Sequence, residues 1–197
     1  MKLTRFALAG LVLLCSAAAL AQMAPHYQVN YYSRRNNTAG ADASVNIINP
    51  GTTGSPASAD HGTLCADIYV FNSRQSMIEC CSCPISANGM IELSIARDLT
   101  GNPVTGPNTA PDSGVIKIVS DAANVCNATA PSSVSGLVAR ATHLKQLVSG
   151  GPISATEDEF QFVSNVSPAE ISFLGNTCRL VRQLGSGKGV CTCGVGG

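Results

Sequence analysis

The 197-residue chain contains no tryptophan, and only 5% of its residues are aromatic and 12% charged. We therefore expect a core of Val, Ile, Leu and Ala that is reinforced by covalent bonds. There is no basic patch, so a nucleic-acid partner is not expected. Beyond the first 21 residues, no apolar run approaches the roughly 20 residues of a bilayer span. We therefore expect no membrane span.

Motifs for catalysis are also missing. The chain has no Gly-x-Ser-x-Gly, His-x-His or His-Glu-x-x-His pattern, and its three histidines, His26, His61 and His143, stand far apart. The acidic run 157–159 suits an exposed strand edge better than a glycosidase, because consecutive strand residues alternate faces. The run 185–189, "GSGKG", lacks the first glycine of a phosphate loop and is predicted to be a helix stop. We expect no catalytic residue and no cofactor.

The first 21 residues predict export. Lys2 and Arg5 supply a positive start, an apolar run follows, and "ALA" ending at Ala21 suits signal-peptide cleavage. Removing these two from the twelve basic residues leaves ten against twelve acidic ones, a net charge of −2. We expect a protein that is secreted, periplasmic or on the cell surface after cleavage near Ala21.

Eight cysteines follow residue 21, and an even number in an exported chain predicts a disulfide framework. They are Cys65, Cys80, Cys81, Cys83, Cys126, Cys178, Cys191 and Cys193. The number alone leaves 105 pairings open. On a strand, Cys81 and Cys83 share one face while Cys80 points the other way, which favours bonds between distant segments.

Two further expectations concern particular cysteines. Cys178 should tie the C-terminal helix either to the sheet or to the loop around Cys126. A thiolate metal site is the alternative to bridges, and it would use the two Cys-x-Cys pairs Cys81, Cys83, Cys191 and Cys193. If these four cysteines form disulfides instead, we expect no metal site.

Hydrophobic alternation divides the rest of the chain into segments. We predict an N-terminal strand pair within residues 22–50, a flexible Gly/Ser-rich loop at 51–62, and a cysteine-stabilised β domain at 63–197. Three runs around residues 64–97 should form an antiparallel meander with an Asn-Gly turn at 88–89. The segment 137–148 fits a helix or a strand, and we favour a strand. A helix is predicted at about 168–184, where a capping box at Ser167–Glu170 begins it.

The motifs "LCADIYVF", "MIECCSCPI" with Asn-Gly soon after, and "LGSGKGVCTCG" occur together in this chain. In this combination the chain resembles a group of uncharacterised small secreted cysteine-rich proteins that occur in several copies in acidobacterial genomes. The resemblance runs from about Tyr31 onward. It implies an exported cysteine-rich domain, and it implies no known activity.

These observations predict a mainly β fold: a disulfide-stabilised antiparallel β-sandwich with one C-terminal α-helix. The expected function is that of a non-enzymatic structural or binding element at the cell surface or outside the cell. Its partner would be a second copy, another extracellular protein or a glycan. Self-assembly would use strand addition by the N-terminal strands, which the loop at 51–62 sets apart from the core. A secreted hydrolase of unknown substrate and a thiolate metal-binding protein remain as alternatives.

Overall fold

The computed structural model describes residues 26–33, 42–52, 62–104, 111–122, 126–146, 151–164 and 166–194. These residues form two antiparallel sheets that enclose a common core, with one α-helix near the C-terminus. The predicted fold, a mainly β sandwich with a C-terminal helix, is confirmed. The predicted signal peptide and most of the predicted loop at 51–62 lie outside the described residues.

The described residues contain nine strands, one π-helical turn after the fifth strand, at Ile95–Leu99, and one α-helix. They are β1 (Tyr27–Ser33), β2 (Ser44–Ile48), β3 (Leu64–Asn72), β4 (Met77–Ile85), β5 (Met90–Ser94), β6 (Ser113–Ala122), β7 (Val138–Gln146), β8 (Ile153–Glu159), β9 (Gln161–Phe162) and α1 (Pro168–Leu184). Sheet A has the strand order β4-β3-β6-β1-β9, and sheet B has the order β5-β2-β7-β8. The segment that fitted either a helix or a strand is strand β7, as predicted.

Strand β3 shows why two faces of sheet A are buried. Its residues alternate, with Ile68 and Val70 facing the core between the sheets and Tyr69 facing the opposite way. The second face is also apolar because α1 covers it, through the buried side chains Leu174 and Cys178. A central strand covered on both faces reads as an almost continuous apolar run.

The start of α1 follows the predicted capping signal only in part. The Glu170 backbone N–H donates to Ser167 Oγ at 3.1 Å, and Pro168 is the first helical residue. The Glu170 carboxylate, however, accepts hydrogen bonds from Lys117 Nζ at 2.6 Å and from the Tyr27 hydroxyl at 3.2 Å. The acidic half of the capping box therefore fastens the first helical turn to sheet A.

The predicted three-strand meander is wrong. Strands β3 and β4 pair, but β5 belongs to sheet B, where it pairs with β2. The Asn-Gly turn is present, with Asn88 at a φ of 63°, but it leads from one sheet to the other. The buried Asn49 amide donates to the carbonyls of Ile85 and Gly62 at this corner. The third strand changes sheets because the outer edge of β4 is already occupied by residues near the C-terminus.

The expected separation of the N-terminal strands from the core is also wrong. Strand β1 lies between β6 and β9 in sheet A, whereas β2 lies between β5 and β7 in sheet B. Val45 and Ile47 are fully buried. The two strands do not pair with each other, and each is an inner strand of its sheet because both carry apolar residues that the core needs.

Candidate functional site

All eight cysteines beyond residue 21 form disulfides. The bridges are Cys65–Cys126, Cys80–Cys178, Cys81–Cys191 and Cys83–Cys193. Cys178 ties the helix to the sheet, which is the first of the two predicted alternatives. The four cysteines of the alternative metal site are bonded in two disulfides, so they present no thiolates.

Three of these bridges converge on β4, at one edge of the sandwich. The segment 187–194 runs along this edge, and the Cys80 N–H donates to the Gly189 carbonyl at 3.0 Å. The same segment reaches the π-helical turn that follows β5, because the Thr192 N–H donates to the Asp98 backbone carbonyl at 3.0 Å and the Thr192 hydroxyl donates to the Asp98 carboxylate at 2.9 Å. We call β4 together with segment 187–194 the stapled edge. Part of its backbone is bonded to the protein's own chain, because the Ile78 carbonyl also accepts from the Val104 N–H at 3.0 Å.

Strand β8 is an edge strand of sheet B, and we call it the open edge. Among the described residues, β8 pairs only with β7, and its residues 154–159 are exposed. The Phe160 N–H donates to the Ala139 carbonyl, so the alternation of an antiparallel ladder gives the even-numbered residues of β8 the bonds to β7. The N–H and C=O groups of Ala155 and Glu157 therefore point away from the sheet.

The acidic run 157–159 lies on the open edge. Glu159 forms an ion pair with Arg140 of β7 at 2.9 Å, and both side chains are well exposed. The run does not place two carboxylates across a cleft. The prediction that it solvates an exposed strand edge is confirmed.

His143 is the histidine with the most distinctive surroundings. It is buried, its ring stacks on Tyr31 with a centroid distance of 4.1 Å, and its Nε2 lies 3.5 Å from Asp158 Oδ2. Burial lowers the pKa of His143, while the Asp158 charge opposes this shift. A hydrolase would also need a nucleophile hydrogen-bonded to the ring. Neither ring nitrogen has a hydrogen-bond partner among the residues that the structure covers.

The other candidates from the sequence lie apart from this cluster. His26 contacts Phe162 edge-on at 6.1 Å, and His61 lies outside the described residues. The "GSGKG" run ends α1 as predicted, since the Gly185 N–H donates to the Val181 carbonyl and Gly187 has a φ of 90°.

A groove of about 790 Å³ opens at one end of sheet A, where the ends of β1, β3 and β6 meet α1. We call it the aromatic groove, and its lining includes Tyr31, Phe71, Phe173, Asn72, Gln75 and Ser113. Sequence patterns missed it because its residues come from four separate elements. The sequence held one indication of the groove: Phe173 is a large apolar residue outside the apolar stripe with which α1 packs on the sheet.

The floor of the aromatic groove depends on Gly114 and Lys117. A Cβ at Gly114 would lie 1.8 Å from the Phe71 carbonyl oxygen, so only glycine allows β6 this close to β3. Lys117 Nζ lies 5.0 Å from the centre of the Phe71 ring and is paired with Glu170 at 2.6 Å. The positive charge of Lys117 is therefore already neutralised by Glu170.

Buried carboxyl groups form a further feature that sequence patterns missed. Asp67 and Glu79 are both fully buried, and burial raises the pKa of each to about 7. Asp67 accepts a hydrogen bond from the Ser82 hydroxyl and faces Asp121, whose own pKa is also raised by burial. One shared proton satisfies this pair best, because two charges so close together in the interior repel strongly.

Comparison with protein-family models, with curated proteins and with solved structures finds no match to this chain. Within the described residues, no helix has the length and apolarity to cross a membrane. The same part of the chain contains no group of three or more His, Cys, Asp or Glu side chains arranged to hold a metal ion.

Proposed function

We propose that this chain is an exported, non-enzymatic structural and binding element that works by strand addition at the open edge. It would act at the cell surface or outside the cell after removal of residues 1–21. Four disulfides support export, since such bonds persist in oxidising compartments. The partner is an extended segment of a second copy or of another extracellular protein.

The observation that carries the proposal is the contrast between two edge strands of the sandwich, β4 and β8. The edge at β4 is closed by the chain's own segment 187–194, whereas β8 has no second partner strand among the described residues. A strand that docks on β8 would bond to the outward backbone groups of Ala155 and Glu157. Main-chain hydrogen bonds of this kind supply the affinity in strand addition.

A second copy can pair with β8 in a register that separates like charges. Antiparallel pairing centred on Thr156 places Ala155 opposite Glu157 of the other copy, and Ile153 opposite Glu159. Directly opposed carboxylates, which would be destabilising, are thus avoided. The acidic runs of both copies still repel at longer range, so self-association should strengthen as salt is added.

The test uses the mature protein and the variant Ala155→Pro. Proline removes an N–H that points away from the sheet, so it blocks an added strand without breaking a bond to β7. Sedimentation velocity over a range of concentrations should show concentration-dependent association for the wild type. Ala155→Pro should stay monomeric, whereas the matched control Ala155→Ser should associate like the wild type.

Two outcomes contradict self-assembly through the open edge. One is a wild-type protein that stays monomeric at about 1 mM, a concentration at which a contact of about 4 kcal/mol is half formed, in high salt as well. The other is an Ala155→Pro variant that associates as strongly as Ala155→Ser.

A further inference from the structure

We infer that the aromatic groove binds a short neutral oligosaccharide, on a surface separate from the open edge. Its volume of about 790 Å³ lies in the range of ligand sites, roughly 300–1,000 Å³. The groove combines apolar surface with a few polar groups, the composition expected of a site for small ligands.

Two aromatic rings supply flat apolar surfaces. One face of Tyr31 is stacked on His143, and 52% of the side chain remains exposed, so the opposite ring face is the one available to a ligand. Phe173 of α1 is 48% exposed at the other side of the groove. A pyranose ring carries C–H groups on its faces that pack against such aromatic rings, while its hydroxyls point sideways.

The rim of the groove offers uncharged hydrogen-bonding groups at the turn between β3 and β4. Asn72 Oδ1 accepts hydrogen bonds from the backbone N–H groups of Arg74 and Ser76, at 2.9 and 3.0 Å, which leaves its NH2 group for a ligand. Gln75 has a φ of 65°, a conformation that favours glycine. This conformation closes the turn, in which the Gln75 N–H donates to the Asn72 carbonyl at 3.0 Å.

The charge of the groove selects for a neutral ligand. Lys117 is the one charged residue among the described lining residues, and Glu170 neutralises it at 2.6 Å. An anionic ligand would have to displace the Glu170 carboxylate, which also accepts from the Tyr27 hydroxyl and holds α1 in place. A purely apolar chain would leave the amides and hydroxyls of the rim without partners. Hydroxyls without a net charge satisfy both conditions.

The test titrates the mature protein with neutral hexasaccharides of β-1,4-glucose, β-1,3-glucose, α-1,4-glucose and β-1,4-N-acetylglucosamine, followed by calorimetry and amide NMR shifts. At least one of them should bind, with shifts centred on residues 71–75 and 113–115. Tyr31→Ala and Phe173→Ala should each weaken binding about tenfold, as expected for the loss of one aromatic contact. Leu180→Ala is the matched control, since it removes an exposed apolar side chain of α1 outside the groove lining and should leave binding unchanged.

Thermal unfolding of each variant separates lost binding from lost folding. Ala155→Pro, which blocks the open edge, should bind the oligosaccharide like the wild type, so the groove and strand addition can fail independently. The inference is overturned if the wild type binds none of the four hexasaccharides at millimolar concentration. It is also overturned if Leu180→Ala weakens binding as much as Phe173→Ala does.

Discussion

Two edge strands of the sandwich, β4 and β8, meet the same physical problem in opposite ways. An edge strand presents unpaired N–H and C=O groups, which invite pairing with another chain. At the stapled edge, segment 187–194 covers β4, and two bridges from that segment hold it there. At the open edge, β8 carries acidic side chains and no cysteine.

The difference shows what the cysteines do. Segment 187–194 contains three glycines and one large apolar side chain, Val190, so burial of apolar area alone would hold it weakly. Cys191 and Cys193 supply covalent attachment where that burial is lacking. The bridges therefore close one particular edge, and among the described residues they leave β8 without a covering segment.

The largest effect should follow from opening the stapled edge. Replacing Cys81, Cys83, Cys191 and Cys193 by alanine removes both C-terminal bridges but keeps Cys80–Cys178. With Cys80–Cys178 in place, the two removed bridges close a further loop of about 15 residues in the unfolded chain. Closing a loop of this length stabilises the folded protein by about 3 kcal/mol. Urea unfolding should show at least this loss in the free energy of unfolding.

The single-bridge variant Cys83→Ala/Cys193→Ala is the matched control. Cys81–Cys191 remains in it, so the lost bridge closes only a very short additional loop and its removal should be less destabilising than removal of both. Sedimentation should also show new association of the four-alanine protein, because β4 becomes a second open edge. An equal loss of stability from one bridge and from two would contradict this account.

The second-largest effect should be a dependence of stability on pH, caused by buried carboxyl groups on the strand pair β3–β4. Asp67 and Glu79 lie on the strand pair at the stapled side, and burial raises the pKa of each to about 7. The unfolded chain gives up these protons near pH 4, so stability falls as pH rises from about 4 to about 7, by up to ~1.4 kcal/mol per unit for each proton. The lowered pKa of His143 acts in the opposite direction, below about pH 6.5. With two protons against one, the protein should be more stable at pH 5 than at pH 8, by on the order of 3 kcal/mol.

Chemical denaturation at a series of pH values checks this sign. Asp67→Asn and Glu79→Gln keep the shape of each side chain and remove its titration, so each should flatten the decline between pH 4 and pH 7. A wild type that is equally stable or more stable at pH 8 would show that these groups are ionised in the folded protein.

Local features of the fold were predictable from the sequence. Alternation placed Cys81 and Cys83 on one face of a strand and Cys80 on the other, and the bridges follow that division. The helix could be predicted because Ser167 and Pro168 mark its start and Gly185 marks its end. Such signals depend on neighbours within a few residues, and these are visible in one sequence.

Long-range arrangements were not predictable for the same reason. The sheet that β5 joins depends on segment 187–194, about 100 residues later in the chain, which occupies the edge of β4. The pairing of the cysteines could not be predicted for the same reason, because it depends on segments that are distant in the sequence. The aromatic groove was invisible because Tyr31, Phe71 and Phe173 become neighbours only after β1, β3 and α1 have packed.

The smallest effect compares one carboxylate from each edge. Asp98 is buried beside the stapled edge and accepts from Arg97, from Thr192 and from the Ser94 N–H; the Arg97 hydrogen bond is the main cause that lowers its pKa. Glu159 at the open edge has a single exposed partner, Arg140. Asp98→Ala should therefore destabilise the protein by about 1–3 kcal/mol, because it removes a buried carboxylate that accepts several hydrogen bonds, and bonds to a charged group are stronger than bonds between neutral ones. Glu159→Ala should change stability by less than about 1 kcal/mol, since exposed ion pairs contribute little. Urea unfolding of both variants at pH 7 measures the difference, and equal effects would mean that Asp98 is no better protected from water than the open edge.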